Sequence, residues 1–489
     1  MSSRLISRRR FLGQASCAAV TGIPIMNTLL NLRLCTSVAN AVTLPNPTEY
    51  RALVCLFLSG GNDSFNMLTP YGKVGNPADT TFYTPYVNTR ADLALSKATE
   101  LLEITPLGAV TGDRTYGLHA QLPKLAARFA AGDAAFIANI GTLIERVTSA
   151  SQVNPESPTK RAPLGLYSHS DQSEQWQTSV PHSRSGLGWA GRMLDLIKNV
   201  NPNPLVPMNI SIDGSNVWQT GETGAEFAVS PGNDQVAGGA VALDGYSQAT
   251  VSQDYKLQNI ISGATDSMLA RQYSNLLQRT YQKKRRDALD TFAVYSSATS
   301  GALPGNITFP NSILGYQLQQ VAQGLMGAGG MGARRQTFFV NRGGWDHHSG
   351  LKPMQSALLG EVDAALDAFW QQLVALGMQD QVVLFSASDF GRSLTSNSGG
   401  SDHAWGSNQF VMGGKVKGGK IYGSYPSMSV GVSNPLDTGS GRLVPTISCD
   451  EFFAEMALWL GVPSSDLPLI FPNIGNFTTG GTPSLNFLD

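Results

Sequence analysis

Acidic, histidine and glycine residues concentrate between Phe338 and Gly414 in a way that suits metal chemistry. Three runs carry them: Gly343-Gly344-Trp345-Asp346-His347-His348, Ser388-Asp389-Phe390-Gly391-Arg392 and Gly399-Gly400-Ser401-Asp402-His403-Ala404-Trp405-Gly406. Carboxylate and imidazole groups are suitable ligands for zinc, manganese and iron. These runs therefore predict part of a divalent-metal site.

Buried strands are expected to position these residues. Apolar runs at 337–340 and 382–385 precede Asp346 and Asp389, and a longer run at 52–59 precedes Asp63. Apolar runs without alternation are typical of parallel strands that are covered on both faces. Because functional groups collect at the carboxyl ends of such strands, the three aspartates are predicted to meet at one edge of a sheet.

A fourth strand is expected to bring a hydroxyl and an imidazole to the same edge. A helix over 122–131 and a buried strand over 134–140 come first, and a loop then leads to Ser168 and His169. Ser168 has two interpretations, a metal-activated nucleophile or the N-cap of the next helix. His169 is a candidate metal ligand, a candidate acid or base, or a partner that orients Asp171.

Helical periodicity between the strands indicates the fold class. Apolar residues recur at three- and four-residue spacing over 358–376, and Gly377 is expected to end that helix. Ser448 and Glu451 form a capping-box pattern before a helix that continues to Leu460. A helical region over 254–295 carries a basic run at 283–286, which we interpret as a solvated face. The alternation predicts an α/β fold with a mostly parallel sheet.

The amino terminus predicts export through the twin-arginine machinery. Paired arginines in the run Ser7-Arg8-Arg9-Arg10-Phe11-Leu12-Gly13 precede a moderately apolar stretch, and Ala39-Asn40-Ala41 offers a cleavage site. Residues 1–41 are therefore predicted to be a signal peptide, with the periplasm or the medium as destination. Polar residues and Gly22 and Pro24 interrupt the stretch too often for a stable membrane span.

Residues 42–489 are expected to form a single domain with an insertion around 201–310. Without the signal peptide this part carries 29 basic and 35 acidic residues, a formal charge of −6, so nothing indicates nucleic-acid binding. The two remaining cysteines, Cys55 and Cys449, are too few for a disulfide-built scaffold. One disulfide bridge is left open, although the position of Cys55 in an apolar strand favours a buried thiol.

Six motifs in order resemble a known family. They are Gly-Gly-Asn-Asp at 60–63, Leu118-His119, Ser168-His169, Gly-Gly-Trp-Asp-His-His at 343–348, Asp-Phe-Gly-Arg at 389–392 and Gly-Gly-Ser-Asp-His at 399–403. Over 51–477 the chain is similar to the exported bacterial family known as domain of unknown function 1501, generally placed in the alkaline phosphatase and sulfatase superfamily. The resemblance implies a three-layer α/β sandwich whose sheet edge holds two divalent ions and a nucleophilic side chain.

The resemblance also implies roles for individual residues. Asp63 would match the metal ligand after the first strand, and Ser168 would match the nucleophile. The candidate metal ligands are Asp63, Asp346, His348, Asp389, Asp402 and His403. The candidate catalytic residues are Ser168, His169 and Arg392, of which Arg392 is either a bidentate anion binder or an ordinary surface ion-pair partner.

Two departures from the pattern bear on these roles. Phe390 follows Asp389 where the superfamily has a histidine, so either Asp402 and His403 compensate or the site holds a single ion. The run at 179–184 misses the signature of formylglycine-dependent sulfatases by one position, which argues against that class.

The motifs and the family resemblance together predict two functions from different classes. The first is an exported metal-dependent hydrolase of phosphate or sulfate esters, with a small anionic ester as substrate and one or two divalent ions. Zinc is the first choice of metal, with manganese, magnesium and calcium as alternatives. The second is a non-catalytic periplasmic binding or surface-assembly protein that retains the phosphatase-like fold.

Overall fold

Strands and helices alternate along the described chain much as the sequence predicts. A computed structural model describes residues 48–224, 226–241, 256–478 and 483–489. The predicted signal peptide at 1–41 lies outside these residues and stays a prediction. Within the described ranges, no helix is long and apolar enough to cross a bilayer.

The strands and helices have the following bounds. The strands are β1 (Arg51–Leu58), β2 (Leu68–Lys73), β3 (Leu101–Ile104), β4 (Arg114–His119), β5 (Ala134–Gly141), β6 (Asn209–Ser211), β7 (Phe227–Ser230), β8 (Gly239–Ala240), β9 (Arg335–Asn341), β10 (Val382–Ser388), β11 (Ser407–Met412), β12 (Ile421–Tyr422) and β13 (Ile447–Ser448). The α-helices are α1 (Ser64–Met67), α2 (Tyr83–Arg90), α3 (Pro123–Ala131), α4 (His169–Thr178), α5 (Trp189–Ile197), α6 (Lys256–Leu269), α7 (Leu276–Ala298), α8 (Ile313–Met331), α9 (Leu351–Leu376), α10 (Cys449–Leu460) and α11 (Leu467–Ile470).

The main sheet is mostly parallel, as predicted. Its strand order is β12-β5-β11-β10-β1-β9-β6-β7-β8, with β13 beside β5. Strand β1 pairs in parallel with β9 and β10, and β6 runs parallel to β9 and β7. Strand β11 is antiparallel to both β10 and β5, so β5 and β10 run in the same direction. Strands β1, β5, β9 and β10 therefore end at one edge. A separate antiparallel sheet has the order β2-β4-β3.

Strand β1 shows why the domain has three layers. Val54 and Leu56 pack in an apolar cluster that contains residues of α3, α8 and α9. Leu53 and Phe57 point to the other face and pack in a second cluster with residues of α5 and α10. Each fully buried Leu, Val or Phe side chain contributes about 1.5–3 kcal/mol. The predicted three-layer α/β sandwich is confirmed, with one core on each face of the sheet.

Predicted helix boundaries agree with the structure at two places. Helix α9 ends at Gly377, whose φ of 67° lies in the left-handed region that glycine favours. Ser448 and Glu451 form the capping box of α10, which ends at Gly461. These local signals depend on neighbouring residues alone, which is why the sequence reveals them.

The helical region predicted over 254–295 consists of two helices within the described residues. Helix α6 ends at Leu269, and α7 begins after Asn275. The Asn275 side chain accepts hydrogen bonds from the backbone N–H groups of Leu277 and Gln278 at 2.9 and 3.2 Å. This N-cap satisfies donors that would otherwise be unpaired at the start of α7, and so stabilises the break.

The segment predicted as an insertion around 201–310 contributes to the sheet as well as to the surface. Strand β6 pairs with β9, and β7 pairs with β6. Helix α7 packs against α8 through its second half, where Leu289 and Tyr295 are buried. The division into a signal peptide and one domain with this insertion stays a prediction.

A buried carboxyl group lies on the side of the sheet that faces α10. Cys55 and Cys449 are both free and buried, so the bridge that the sequence left open is not formed. Next to Cys449, Asp450 is fully buried and accepts a hydrogen bond from the Ser179 hydroxyl. Burial raises the pKa of Asp450 to about 7, although the hydrogen bond from Ser179 opposes the rise.

We expect Asp450→Asn to flatten the pH dependence of stability. The folded protein holds the Asp450 proton up to about pH 7, whereas the unfolded chain releases it near 3.8. Its contribution to stability is therefore complete below pH 3.8 and is lost as pH rises through 7. The wild type should lose roughly 2–3 kcal/mol more than the variant in free energy of unfolding between pH 5 and 8. Denaturant titrations of both proteins measure this, with the exposed Asp92→Asn as control. Equal slopes for wild type and Asp450→Asn would contradict it.

Candidate metal centre

Two imidazoles and a carboxylate converge at the carboxyl edge of the sheet. His169, Asp346 and His403 each offer a ligand atom, and these atoms lie within 4.8 Å of one another. His348 adds a third imidazole, because its Nε2 lies 3.0 Å from Asp346 Oδ1 and 3.0 Å from His403 Nε2. Two imidazoles and a carboxylate form a common ligand set for catalytic zinc. The arrangement could therefore hold a divalent cation.

Each ligand comes from a different sheet connection. His169 is the first residue of α4, in the connection that follows β5, and Asp346 lies in the loop after β9. His403 lies between β10 and β11, where it forms an isolated bridge with Arg392. Asp346 thus follows β9 and Asp389 follows β10, as the sequence predicts.

Gly60 and Gly61 allow these loops to approach each other after β1. Gly60 has a φ of 117°, and a Cβ atom there would lie 2.7 Å from the backbone nitrogen of Asp346. Gly61 has a φ of 81°, and its Cβ would lie 2.5 Å from the Phe390 ring. A side chain at either position would strain the backbone and displace the Asp346 or Phe390 loop.

A second group of residues contacts the other nitrogen of each imidazole. His169 Nδ1 lies 2.6 Å from Asp389 Oδ2, and His403 Nδ1 lies 2.9 Å from the carbonyl oxygen of Tyr167. Partners of this kind fix the tautomer and leave Nε2 with its lone pair free to bind a metal. His348 Nδ1 is 3.6 Å from Asp402 Oδ1, beyond hydrogen-bond distance. Asp389 and Asp402, predicted as ligands, thus lie behind the imidazoles.

An unpaired atom at this site fits a bound cation. His169 Nε2 is buried, and it has no hydrogen-bond partner among the described residues. Leaving such groups unpaired costs free energy unless an ion or water satisfies them. Burial lowers the pKa of His403, which keeps its imidazole neutral and able to coordinate. These observations and the donor set agree with a divalent ion held by His169, Asp346 and His403.

Phe390 forms the floor under two of the imidazoles. Its ring is fully buried, with its centroid 4.7 Å from that of His169 and 4.6 Å from that of His403. Phe390, which stands where the superfamily has a histidine, therefore packs beneath the cluster and contributes no ligand. It fixes the ring positions of two other histidines by packing.

Arg392 is a buried clamp between loops. It donates to the carbonyl oxygens of Gly61 and Ser401, each at 2.8 Å, and to Gly60 and Trp345 at 2.5 and 3.3 Å. It also donates to Asp346, so protein acceptors face all parts of its guanidinium. The sequence suggested that Arg392 binds an anion or forms a surface ion pair. In the structure its guanidinium group is fully buried and already bonded to protein acceptors.

The charge of Arg392 keeps Asp346 ionised. Burial alone would raise the pKa of this carboxyl group, but the hydrogen bond and charge of Arg392, with smaller contributions from His169 and His348, lower it to about 2. The carboxylate is 46% exposed in its side chain and faces the three imidazoles. It is the shared acceptor of the cluster.

Asp63 is buried and pairs with a cation of the protein. Its carboxylate accepts a hydrogen bond from Arg90, and the two side chains are 1% and 0% exposed. Arg90 also donates to the carbonyl oxygens of Ser393 and Leu394 at 2.9 and 3.3 Å. The predicted ligand therefore already has a full countercharge, and it is not among the residues that converge on the candidate centre.

Ser168 serves as the N-cap of α4. Its hydroxyl accepts a hydrogen bond from the backbone N–H of Asp171 at 3.4 Å and lies 3.1 Å from the Ser170 hydroxyl. Asp171 pairs with Arg184, not with His169. Of the two interpretations of Ser168, the structure shows the cap, and the role of nucleophile stays a prediction.

Tyr167, Arg90 and the packing role of Phe390 were missed by reasoning from sequence. Tyr167 has a φ of 72°, a left-handed conformation that is uncommon outside glycine, and it precedes the cap of α4. Its backbone N–H donates to Gln172 at 2.6 Å, and its hydroxyl lies 2.9 Å from that of Thr438. No sequence pattern marks a strained tyrosine or an ion pair 27 residues apart.

We expect the backbone of Tyr167, not its ring, to hold His403 in place. Glycine adopts a positive φ freely, whereas β-branched valine resists it by about 1–2 kcal/mol. Tyr167→Gly should therefore keep the zinc affinity of the wild type within about threefold, and Tyr167→Val should weaken it by about tenfold. Competition with a chromophoric chelator measures both affinities. Equal weakening in the two variants would assign the effect to the lost ring.

Comparisons with known proteins give a family and remote structural similarity. A family model described as protein of unknown function (DUF1501) matches residues 50–448. No curated protein matches the chain. The solved structure of Ps i-CgsB in complex with k-i-k-neocarrahexaose has 9% identity and a TM-score of 0.34, over 88% of this chain and 77% of that chain.

Two further structures align at a similar level. PsFucS1 sulfatase from Pseudoalteromonas sp. has 10% identity and a TM-score of 0.32, over 89% of this chain and 72% of that chain. A mutant of the alkaline phosphatase PafA has 12% identity and a TM-score of 0.24, over 72% and 64% of the respective chains.

Proposed function

The chain belongs to the family of proteins of unknown function designated DUF1501, and we propose that it is an exported metal-dependent hydrolase of phosphate or sulfate esters. The observation that carries this proposal is the convergence of His169, Asp346 and His403 within 4.8 Å at the carboxyl edge of a mostly parallel sheet. A divalent ion bound there would supply Lewis acidity, which stabilises the charge that develops on a transferred phosphoryl or sulfuryl group. Zinc suits the two-histidine, one-carboxylate donor set.

The residues of the chain would orient the reaction. Asp346 is held by Arg392 and faces the imidazoles of His169, His348 and His403. Because His348 and Asp346 are about half exposed, an ester could reach this side of the cluster from solvent. Among the three imidazoles that face Asp346, His348 is the one whose Nδ1 has no hydrogen-bond partner in the described part of the chain, so it is free to exchange a proton with the leaving group.

Two nucleophiles fit the site: the Ser168 hydroxyl and a water molecule. Ser168 is the residue before His169, but its hydroxyl already accepts the cap hydrogen bond from Asp171. Because this hydrogen bond occupies the Ser168 hydroxyl, water is the favoured nucleophile. Ser168→Ala should therefore lower stability by about 1 kcal/mol and leave turnover within about tenfold of the wild type. Complete loss of turnover with an intact fold and metal content would make Ser168 the nucleophile.

The experiment that tests the proposed function combines metal analysis with hydrolysis assays. Purified protein is assayed on chromogenic phosphate monoester, phosphodiester and sulfate ester substrates, before and after chelation and zinc reconstitution. We expect bound metal, turnover of at least one ester, loss of turnover on chelation and its recovery with zinc. Metal-replete protein that hydrolyses none of these esters would contradict the hydrolase.

Two buried arginines favour a second candidate, a non-catalytic binding or surface-assembly protein. Arg392 and Arg90, the buried guanidinium groups nearest the aspartates, are both committed to protein acceptors. Neither is available to hold an anionic ester, which an efficient hydrolase of this kind would gain from. Stoichiometric metal without turnover on the ester panel is the result that this second candidate predicts.

Export is the remaining part of the proposal. It rests on the paired arginines and the Ala39-Asn40-Ala41 site of the sequence. Replacement of Arg8 and Arg9 by lysine should leave the protein in the cytoplasm, whereas the wild type should be found in the periplasm or medium. Cell fractionation distinguishes the two, and equal export of both proteins would contradict the twin-arginine route.

A further inference from the structure

The hairpin of α6 and α7 exposes a cluster of large apolar side chains at its tip. Met268, Leu276, Leu277 and Tyr281 are 57%, 64%, 79% and 64% exposed. These four residues fall within 14 positions of the chain, whereas the other exposed large apolar residues are scattered over distant loops and helices. Exposed apolar side chains that cluster in this way mark an interaction surface.

The hairpin tip is an ordered turn. The Asn275 side chain caps α7, as described above. Gln282 Nε2, nearly two turns into α7, donates to the carbonyl oxygen of Arg271 at 2.7 Å and to that of Leu269. Met268, Tyr273 and Tyr281 line a groove between the two helices. The exposed side chains are therefore presented on a fixed backbone.

Cations surround the apolar cluster. Between 263 and 286 the chain has six basic residues and one acidic residue, although its overall formal charge is −1. The acid, Asp266, pairs with Arg286 at 3.5 Å. Arg271, Arg279 and Lys283 are exposed and form no ion pair with any residue in the described ranges. The basic run that the sequence suggested to be a solvated face thus adjoins three cations that have no ion-pair partner in the described ranges, so the hairpin tip carries an excess of positive charge.

The cations and the larger apolar groups lie on adjoining sides of α7. Leu276, Arg279 and Lys283 are spaced at i, i+3 and i+7, so they line one side of the helix, and Leu277 and Tyr281, at i and i+4, form a second stripe roughly a third of a turn further round it. A helix with basic residues on one side and apolar residues on another is typical of segments that lie in the interface of an anionic bilayer.

We propose that the tip of the α6–α7 hairpin docks the protein onto a membrane surface rich in anionic phospholipid. The apolar side chains of Leu276, Leu277 and Tyr281 enter the headgroup region, and Arg271, Arg279 and Lys283 contact lipid phosphates. The attachment is peripheral, because no described helix can cross a bilayer. The proposal is independent of the metal centre, since none of these residues lies in it.

Vesicle flotation tests the proposal with the full chain. Phosphatidylcholine vesicles with and without phosphatidylglycerol are compared at low and high salt. We expect binding to the anionic vesicles alone, weakened by salt because the attraction is screened. Arg271→Gln/Arg279→Gln/Lys283→Gln should weaken it on the order of 100-fold, at about fivefold for each cation. Leu277→Ser/Tyr281→Ser should also lose binding. All proteins carry the same amino-terminal segment, so its contribution is common to them.

Matched controls separate docking from misfolding and self-association. Val432→Ser and Leu469→Ser remove exposed apolar side chains elsewhere and should bind vesicles like the wild type. Circular dichroism should show the same fold for all variants, since the changed side chains are exposed. Absence of wild-type binding to anionic vesicles would overturn the proposal, as would hairpin variants that bind normally. Self-association that the hairpin variants abolish, without vesicle binding, would instead assign the surface to a second copy of the chain.

Discussion

Asp346→Asn is expected to weaken zinc binding by at least about 100-fold and to abolish the ester hydrolysis that we propose. This carboxylate approaches His169, His348 and His403 at once, at 3.5, 3.0 and 3.3 Å. Removing a residue that only supports a metal ligand typically weakens metal binding by about 10- to 100-fold. Removing a ligand itself should weaken it at least as much as the upper end of that range. Asparagine keeps the shape and still accepts from Arg392, so the fold should survive.

Asp402→Asn is the matched control for this substitution. Asp402 belongs to the same loop cluster and was also predicted as a ligand, but its carboxylate lies 3.6 Å from His348 Nδ1. It also accepts from Asn397 at 2.8 Å. We expect zinc affinity to fall by about tenfold or less. Isothermal titration of the metal-free proteins measures both effects. A larger loss in Asp402→Asn than in Asp346→Asn would contradict the assignment of the centre.

Arg90→Met is expected to lower the free energy of unfolding by about 3–5 kcal/mol, because it leaves the Asp63 carboxylate buried without its countercharge. Asp63 and Arg90 are almost completely buried, so solvent cannot screen the loss. Asp63→Asn/Arg90→Met removes both charges and should recover a large part of that stability. Arg342→Met is the control, since its pair with Glu361 is partly exposed and should cost roughly 1 kcal/mol.

The same double variant decides whether Asp63 binds metal. If Arg90 takes the place of a second cation beside Asp63, the wild type binds one ion per chain and Asp63→Asn/Arg90→Met binds it with similar affinity. Mass spectrometry of the metal content and denaturant titration measure the two properties separately. Loss of metal from a well-folded double variant would restore Asp63 to the ligand set that the family resemblance implies.

The sequence predicts those features that depend on local pattern. The buried runs at 52–59, 134–140 and 382–385 correspond to β1, β5 and β10, because two-sided burial requires apolar residues at every position. Asp346 and His403 reach one centre because their loops follow strands that end at the same edge. The Asn275 cap could also have been found, since a Ser-Asn pair within a helical pattern is a start signal.

Features that depend on distant contacts could not be predicted in this way. The buried cation that pairs with Asp63 comes from α2, in a segment without a recognisable motif. Arg392 was interpreted as a surface or ligand-binding arginine, yet it is buried beneath four backbone carbonyl groups of three loops. Which aspartates are direct ligands and which are partners of imidazoles depends on how the loops are packed against one another, which residue type and spacing do not specify.

The most direct test of the centre is the position of bound zinc in crystals of the metal-loaded protein. Diffraction above and below the zinc absorption edge locates the ion without any assumption about its ligands. We predict one anomalous peak per chain within coordination distance of His169 Nε2, Asp346 and His403 Nε2, and no peak beside Asp63. A peak at Asp63, or the absence of zinc from the His169–Asp346–His403 cluster, would contradict it.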